Sequence, residues 1–177
     1  MATSINGWPV LAPGDGRLHT FPIPGVADRR LTLARDAAPI LLYVASRYHE
    51  QIHPLAEVRR HGKLVRQKTV DEGGYNYRKS RVNTSWSNHS SGTAIDLDWS
   101  KEGAQSSWAR SWWQHHPAKR AAVDHLLQEL DGSITWGGKW SPKYWDPMHF
   151  EITRGWTAEK LLRLQRKLGI DGGGVRA

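Results

Sequence analysis

The chain has 177 residues, 38% of them hydrophobic, with 10 Trp, no Cys and a formal net charge of +8 at pH 7. That length suits one domain with a sizeable core, and the composition excludes a disordered chain and a helical membrane protein. The absence of cysteine excludes disulfides, thiolate metal ligands and a cysteine nucleophile, so any metal must be held by His and carboxylates.

Residues 1–30 are rich in Gly and Pro without a clear period and read as a loop-rich lead-in. They lack the basic and apolar regions of a secretory signal, which points to synthesis in a cytoplasm. A helix is expected over 36–52, with Asp36 as N-cap and Pro39 in the first turn. Ile40, Tyr43, Val44 and Arg47 share one mostly apolar stripe, and Pro54 marks its end. Residues 63–70 offer a strand with imperfect alternation, and the glycines of 71–80 then turn the chain. The densest basic cluster, 59–68, is broken by apolar residues and reads as solvated surface; the overall positive charge implies attraction to polyanions, either nucleic acid or an anionic cell envelope.

Over 94–99 the alternation is clean, with Ile95, Leu97 and Trp99 on one side and Asp96 and Asp98 on the other. Residues 100–114 are polar with three Trp and read as irregular. A helix over 118–130 carries Val123, Leu126, Leu127 and Leu130 on one face and stops at Asp131-Gly132. Short strands are expected at 134–138 and 148–152, then a helix capped by Thr157 that buries Leu161, Leu164 and Leu168. Residues 1–168 thus form one domain, and 169–177 a Gly-rich linker or tail.

Two segments carry chemistry. In SNHSSGTAIDLDW, His89 lies in a turn just before a strand whose first inward carboxylate is Asp96, and Gly92 allows the backbone between them to bend. In YWDPMHFEI, His149 and Glu151 share one face of an extended segment while Phe150 and Ile152 face the core. Asp146 stands three residues before His149, where an acid can serve a water without ligating a metal. Ligation by His89, Asp96 and His149 leaves a fourth position open, as a catalytic zinc site requires. Asp98 is the competing carboxylate on the Asp96 face, and Glu151 is expected to orient a ligand. HEQIH, with His49 and His53, has the zincin spacing but no evident third ligand, and Pro54 ends its helix. His115 and His116 read as surface.

These motifs, in this order, resemble the M15 zinc peptidases of bacterial cell-wall peptides. The resemblance rests on Ser87-Asn88-His89, the stretch from Gly92 to Leu97, Trp136-Gly137-Gly138, and the stretch from Asp146 to Glu151. It implies an α+β fold of the Hedgehog/DD-peptidase type, with a small antiparallel sheet carrying the metal site and helices packed on it. It implies Zn2+ on His89, Asp96 and His149, Asp146 as general base where many relatives have Glu, and a substrate-binding arginine that is either Arg78 or Arg81. The function implied is a peptidoglycan peptidase, a phage-type endolysin cutting the L-alanyl–D-glutamate bond of the stem peptide. Such a lysin is made in the host cytoplasm, acts on the cell wall as a monomer, and needs neither nucleic acid nor membrane insertion. The alternatives are a D-Ala-D-Ala carboxypeptidase, and a non-catalytic basic protein that binds wall polymer or nucleic acid.

Overall fold

The computed structural model describes residues 2–60, 63–66, 70–103 and 106–171, and everything in it leans on helix α1 (Ala38–Gln51). Ala38 through Ser46 and Tyr48 are all buried, so the helix is enclosed on every side rather than on the one stripe its spacing suggested. Pro39 sits in the first turn, where its missing N–H leaves no carbonyl unpaired. Asp36 does not cap it: the N-cap position is Ala37, no side chain accepts there, and the Ala37 N–H turns back to the Ala34 carbonyl at 3.0 Å.

The lead-in holds more order than its composition predicted. β1 (Leu18–Pro22) pairs antiparallel with β2 (Arg30–Ala34), Leu18 opposite Ala34, and β2 buries Leu31 and Leu33 against the core. β3 (Glu57–Arg60) and β4 (Lys63–Arg66) form a second antiparallel pair. Positions 67–69 of the expected 63–70 strand, the side chains of the 59–68 basic cluster and residues 172–177 of the tail lie outside the described residues.

The remaining strands make one antiparallel sheet in the order β5 (Ala94–Asp96), β7 (His149–Ile152), β6 (Ile134–Trp136). β7 lies at its centre, and its Phe150 is fully buried between Trp136, stacked at 6.1 Å, and Tyr48 of α1, edge-on at 5.9 Å. Burying a side chain of that size contributes about 1.5–3 kcal/mol, which anchors the strand's inward face. The 94–99 alternation stops early. Asp98 takes a left-handed φ of 57° and leads into α2 (Trp99–Glu102), so Trp99 leaves the strand face.

The stretch expected to be irregular contains α3 (Ser107–His115), capped by the Ser106 hydroxyl and burying Ala109 and Trp113, the latter 5.0 Å from Trp136. α4 (Pro117–Glu129) and α5 (Ala158–Leu168) follow the expected stripes, burying Val123, Leu126 and Leu127 in the first and Leu161 and Leu164 in the second. The Thr157 hydroxyl accepts from Lys160 N–H, and Gly169 closes α5 at φ 63°.

One further segment joins the two halves. Gly73 exchanges backbone hydrogen bonds with Asp96 at 2.9 and 2.8 Å, and Tyr75 N–H donates to the Thr32 carbonyl at 2.7 Å. Residues 73–75 therefore bridge β5 and β2. Gly74 is obligatory there, since a Cβ would stand 2.4 Å from the Thr32 oxygen.

Candidate metal centre

His89 lies in a 3-10 turn (Asn88–Ser91) whose start is capped by the Ser87 hydroxyl and whose end is Gly92 at φ 65°. A Cβ on Gly92 would lie 2.5 Å from Ala34 N, so the turn can press against β2 only with glycine. Asp96 and His149 are directly opposed across the β5–β7 pair. Opposed residues of an antiparallel pair project to the same face about 4.5–5.5 Å apart, so their side chains meet.

The three functional groups converge. His149 Nδ1 is 2.9 Å from Asp96 Oδ1, His89 Nε2 is 3.3 Å from Asp96 Oδ2, and the two imidazole nitrogens are 3.3 Å apart. The other ring nitrogens are committed elsewhere. His89 Nδ1 donates to the Gly74 carbonyl at 2.6 Å, and His149 Nε2 donates to Glu151 Oε2 at 2.8 Å. Glu151 is itself held by Asn88 Nδ2 at 2.6 Å. With those N–H bonds made outward, two neutral imidazoles and a carboxylate would turn three lone-pair atoms toward one point.

Such an arrangement demands a positive charge at its centre. Burial works against charge on His149, but its hydrogen bonds with Asp96 and Glu151 prevail and push its pKa up to about 10. Burial likewise opposes ionisation of Asp96, and the His89 and His149 imidazoles overcome it, holding the carboxyl well below the usual range. A proton answers the demand, and a divalent cation can answer it in the proton's place. Ligand atoms about 2.1 Å from a tetrahedral ion stand about 3.4 Å from one another, close to the spacing found here. His89, Asp96 and His149 can hold a metal, with all three donor atoms within 4.8 Å of one another.

Asp146 is brought in by a close approach of backbone. Its N–H donates to the Gly137 carbonyl at 3.1 Å, and its own carbonyl accepts from His149 N–H at 3.2 Å. A Cβ on Gly137 would be 2.2 Å from the Asp146 oxygen, so the Trp-Gly-Gly turn is what lets this segment close. The half-buried carboxyl has an Oδ1 with no hydrogen-bond partner among the described residues. Burial pushes its pKa up to about 6, against the opposing pull of the His149 imidazole.

Arg78 is half-buried and Arg81 exposed, and both reach this field. Burial, with Arg81 beside it, lowers the pKa of Arg78, while Asp96 and Asp146 act to raise it. Its Nη1 donates to the Lys79 carbonyl at 3.2 Å, and its Nε is buried without a hydrogen bond.

Other sequence candidates go elsewhere. Asp98 is buried and pairs with His53 at 2.8 Å, away from the cluster. His49 Nδ1 accepts from Leu55 N–H at 3.0 Å, so the two HEQIH imidazoles are separately engaged. His115 and His116 are exposed, each bonded to a backbone carbonyl one turn back. Three contributors carried no sequence signal of their own: the Gly74 carbonyl, the Asn88 amide, and Trp140, whose ring lies 5.3 Å from that of His149.

A family model described as D-alanyl-D-alanine carboxypeptidase, within the M15 peptidases, matches residues 80–152. The stretch contains Arg81, His89, Asp96, Asp146 and His149, and begins two residues after Arg78. No curated protein and no solved structure matches the chain.

Proposed function

We infer that this chain is a zinc peptidase acting on the peptide part of bacterial peptidoglycan, with His89, Asp96 and His149 as the metal ligands. The observation that carries this is the convergence of two outward-anchored imidazoles and a carboxylate on one point, beside an acid with an unengaged buried oxygen. The similarity of residues 80–152 to M15 peptidases supports the same reading from an independent direction.

Zinc in such a site supplies Lewis acidity and makes hydroxide accessible near neutral pH. Asp146 is the general base. Its carboxyl, raised by burial toward neutrality, takes the proton of the attacking water and returns it to the departing amine. Glu151 and the Gly74 carbonyl hold the two imidazoles in the tautomers that turn their free nitrogens inward. Arg78 is the substrate-binding arginine, because it is the deeper of the two and shares the field of both Asp96 and Asp146. Its N–H groups steady the carbonyl oxygen as negative charge builds there, a contribution typically worth about 10²–10³ in rate. Arg81, exposed at the rim, lies within the electrostatic reach of Asp146 and helps draw in acidic stem peptide.

The bond cut is read from products. The endolysin reading places it between L-Ala and D-Glu and predicts new N-terminal D-Glu in digested peptidoglycan. The second reading, favoured by the description of the matching family model, predicts free D-Ala. A lysin role further predicts that added protein clears suspensions of permeabilised cells. If wall hydrolysis survives both exhaustive chelation and Asp146→Ala, the peptidase reading is wrong.

A further inference from the structure

A concavity of about 700 Å³ opens between the N-terminal segment, the end of β2 and the turn that leads into α5. None of His89, Asp96, Asp146 or His149 lines it. Its size falls in the range of small-ligand pockets, about 300–1,000 Å³.

The lining combines two tryptophans with three arginines. Trp8 Nε1 donates to the Trp156 carbonyl at 2.8 Å, and both rings pack partly buried against the core, so this wall is rigid. Arg17 is already occupied by Asp15 at 2.6 Å. Arg35 touches His19 Nε2 at 3.0 Å, and neither it nor Arg154 pairs with a carboxylate among the described residues. Asp36 is the one acid in the described lining. A fixed indole wall beside two guanidinium forks that pair with no described carboxylate is suited to a ring with apolar faces that carries an anionic group.

We propose that this cleft binds an acidic saccharide of the cell wall, its sugar ring against Trp8 and Trp156 and its carboxylate or phosphate on Arg35 and Arg154. The choice of a saccharide over a nucleotide rests on the peptidase reading above. The cleft would hold the wall polymer while the peptide is cut elsewhere on the chain, raising the local concentration of stem peptides.

The test is binding by the full chain in the presence of chelator, so that it is independent of hydrolysis. Three probes share one kind of ring: N-acetylglucosaminyl-N-acetylmuramic acid with its free lactyl carboxylate, N-acetylglucosamine 6-phosphate, and neutral diacetylchitobiose. Calorimetry gives the affinity, and the indole N–H resonances of Trp8 and Trp156 locate the site. The expected result is that at least one anionic probe binds about tenfold or more tightly than the neutral sugar. Which one does so identifies carboxylate or phosphate as the anchor. Arg35→Gln with Arg154→Gln, both exposed, should weaken that probe about tenfold or more. The same double variant should cut a soluble stem peptide at the wild-type rate and intact walls more slowly. No saturation by any anionic probe below about 10 mM overturns the proposal, as does equal binding of the neutral sugar or tighter binding of adenosine monophosphate. If soluble peptide is hydrolysed while no saccharide binds, this inference fails and the peptidase reading stands; failure of hydrolysis alone leaves the binding result to be read by itself.

Discussion

Replacing Asp146 by Asn should make the metal-free protein more stable while removing its activity. Asn keeps the shape of the side chain and cannot ionise, and Asp146 Oδ1 has no hydrogen bond to lose. In the folded protein the carboxyl titrates at about 6 rather than the ordinary 3.8, chiefly because it is buried. The folded state therefore keeps a proton that the unfolded chain has given up. Its stability contribution is whole below pH 3.8 and is lost as the pH rises to about 6. The gap is about 2 pH units, and at about 1.4 kcal/mol each the ceiling on the loss is about 3 kcal/mol. Urea unfolding of chelated wild type and Asp146→Asn from pH 4 to 8 reads this directly. The difference between the two should be small at pH 4, widen through pH 6 and level off by pH 7 in favour of Asn. A difference independent of pH, or one favouring Asp at pH 8, would refute the argument that Asp146 is held in an environment hostile to its charge.

Other outcomes follow from the same geometry. Zinc uptake must displace the proton that His149 holds with a pKa of about 10, so affinity should rise about tenfold per pH unit from 7 to 9; calorimetry in buffers of different ionisation heat checks this, and a flat profile would contradict it. Glu151→Ala frees the His149 ring to turn and should lower zinc affinity about 10- to 100-fold in a chelator competition, with the fold preserved by circular dichroism. Gly92→Ala meets both a left-handed φ and the Ala34 nitrogen, and should cost at least about 2 kcal/mol in thermal or urea unfolding; an unchanged midpoint would mean the turn is not pressed against β2. Arg78→Ala should lower kcat/KM on stem peptide about 10²-fold or more while zinc content by metal analysis stays at wild type, and Arg81→Ala should cost much less.

The sheet that bears the cluster was legible because its local patterns are strong. In His149–Ile152, every second side chain is apolar and fully buried, so the alternation alone separates Phe150 and Ile152 from His149 and Glu151. Gly92 and the Trp-Gly-Gly turn were equally plain, since close backbone contact leaves room for no other residue. The β1–β2 hairpin was hidden because Leu18–Pro22 is only half-buried and ends in proline, which weakens the alternation that marks a strand. α3 was hidden because it buries only Ala109 and Trp113 among polar neighbours, leaving Trp108 exposed. The groups that fix the imidazoles were beyond any local pattern. Gly74 is 15 residues from His89, and Asn88 is 63 from Glu151, so only the assembled chain brings them together.

The pairing of β5 with β7 has a consequence for how the molecule can vary. Asp96 stands opposite His149 and Ile95 opposite Phe150, so a slip of one residue would send the imidazole inward and the phenyl ring out to the acid. A misaligned sheet therefore cannot keep a dry interior and still gather its three acceptors. Assembly proofreads the chemistry. Insertions between the two strands leave this safeguard untouched, whereas a single deletion inside either one removes core and cluster together.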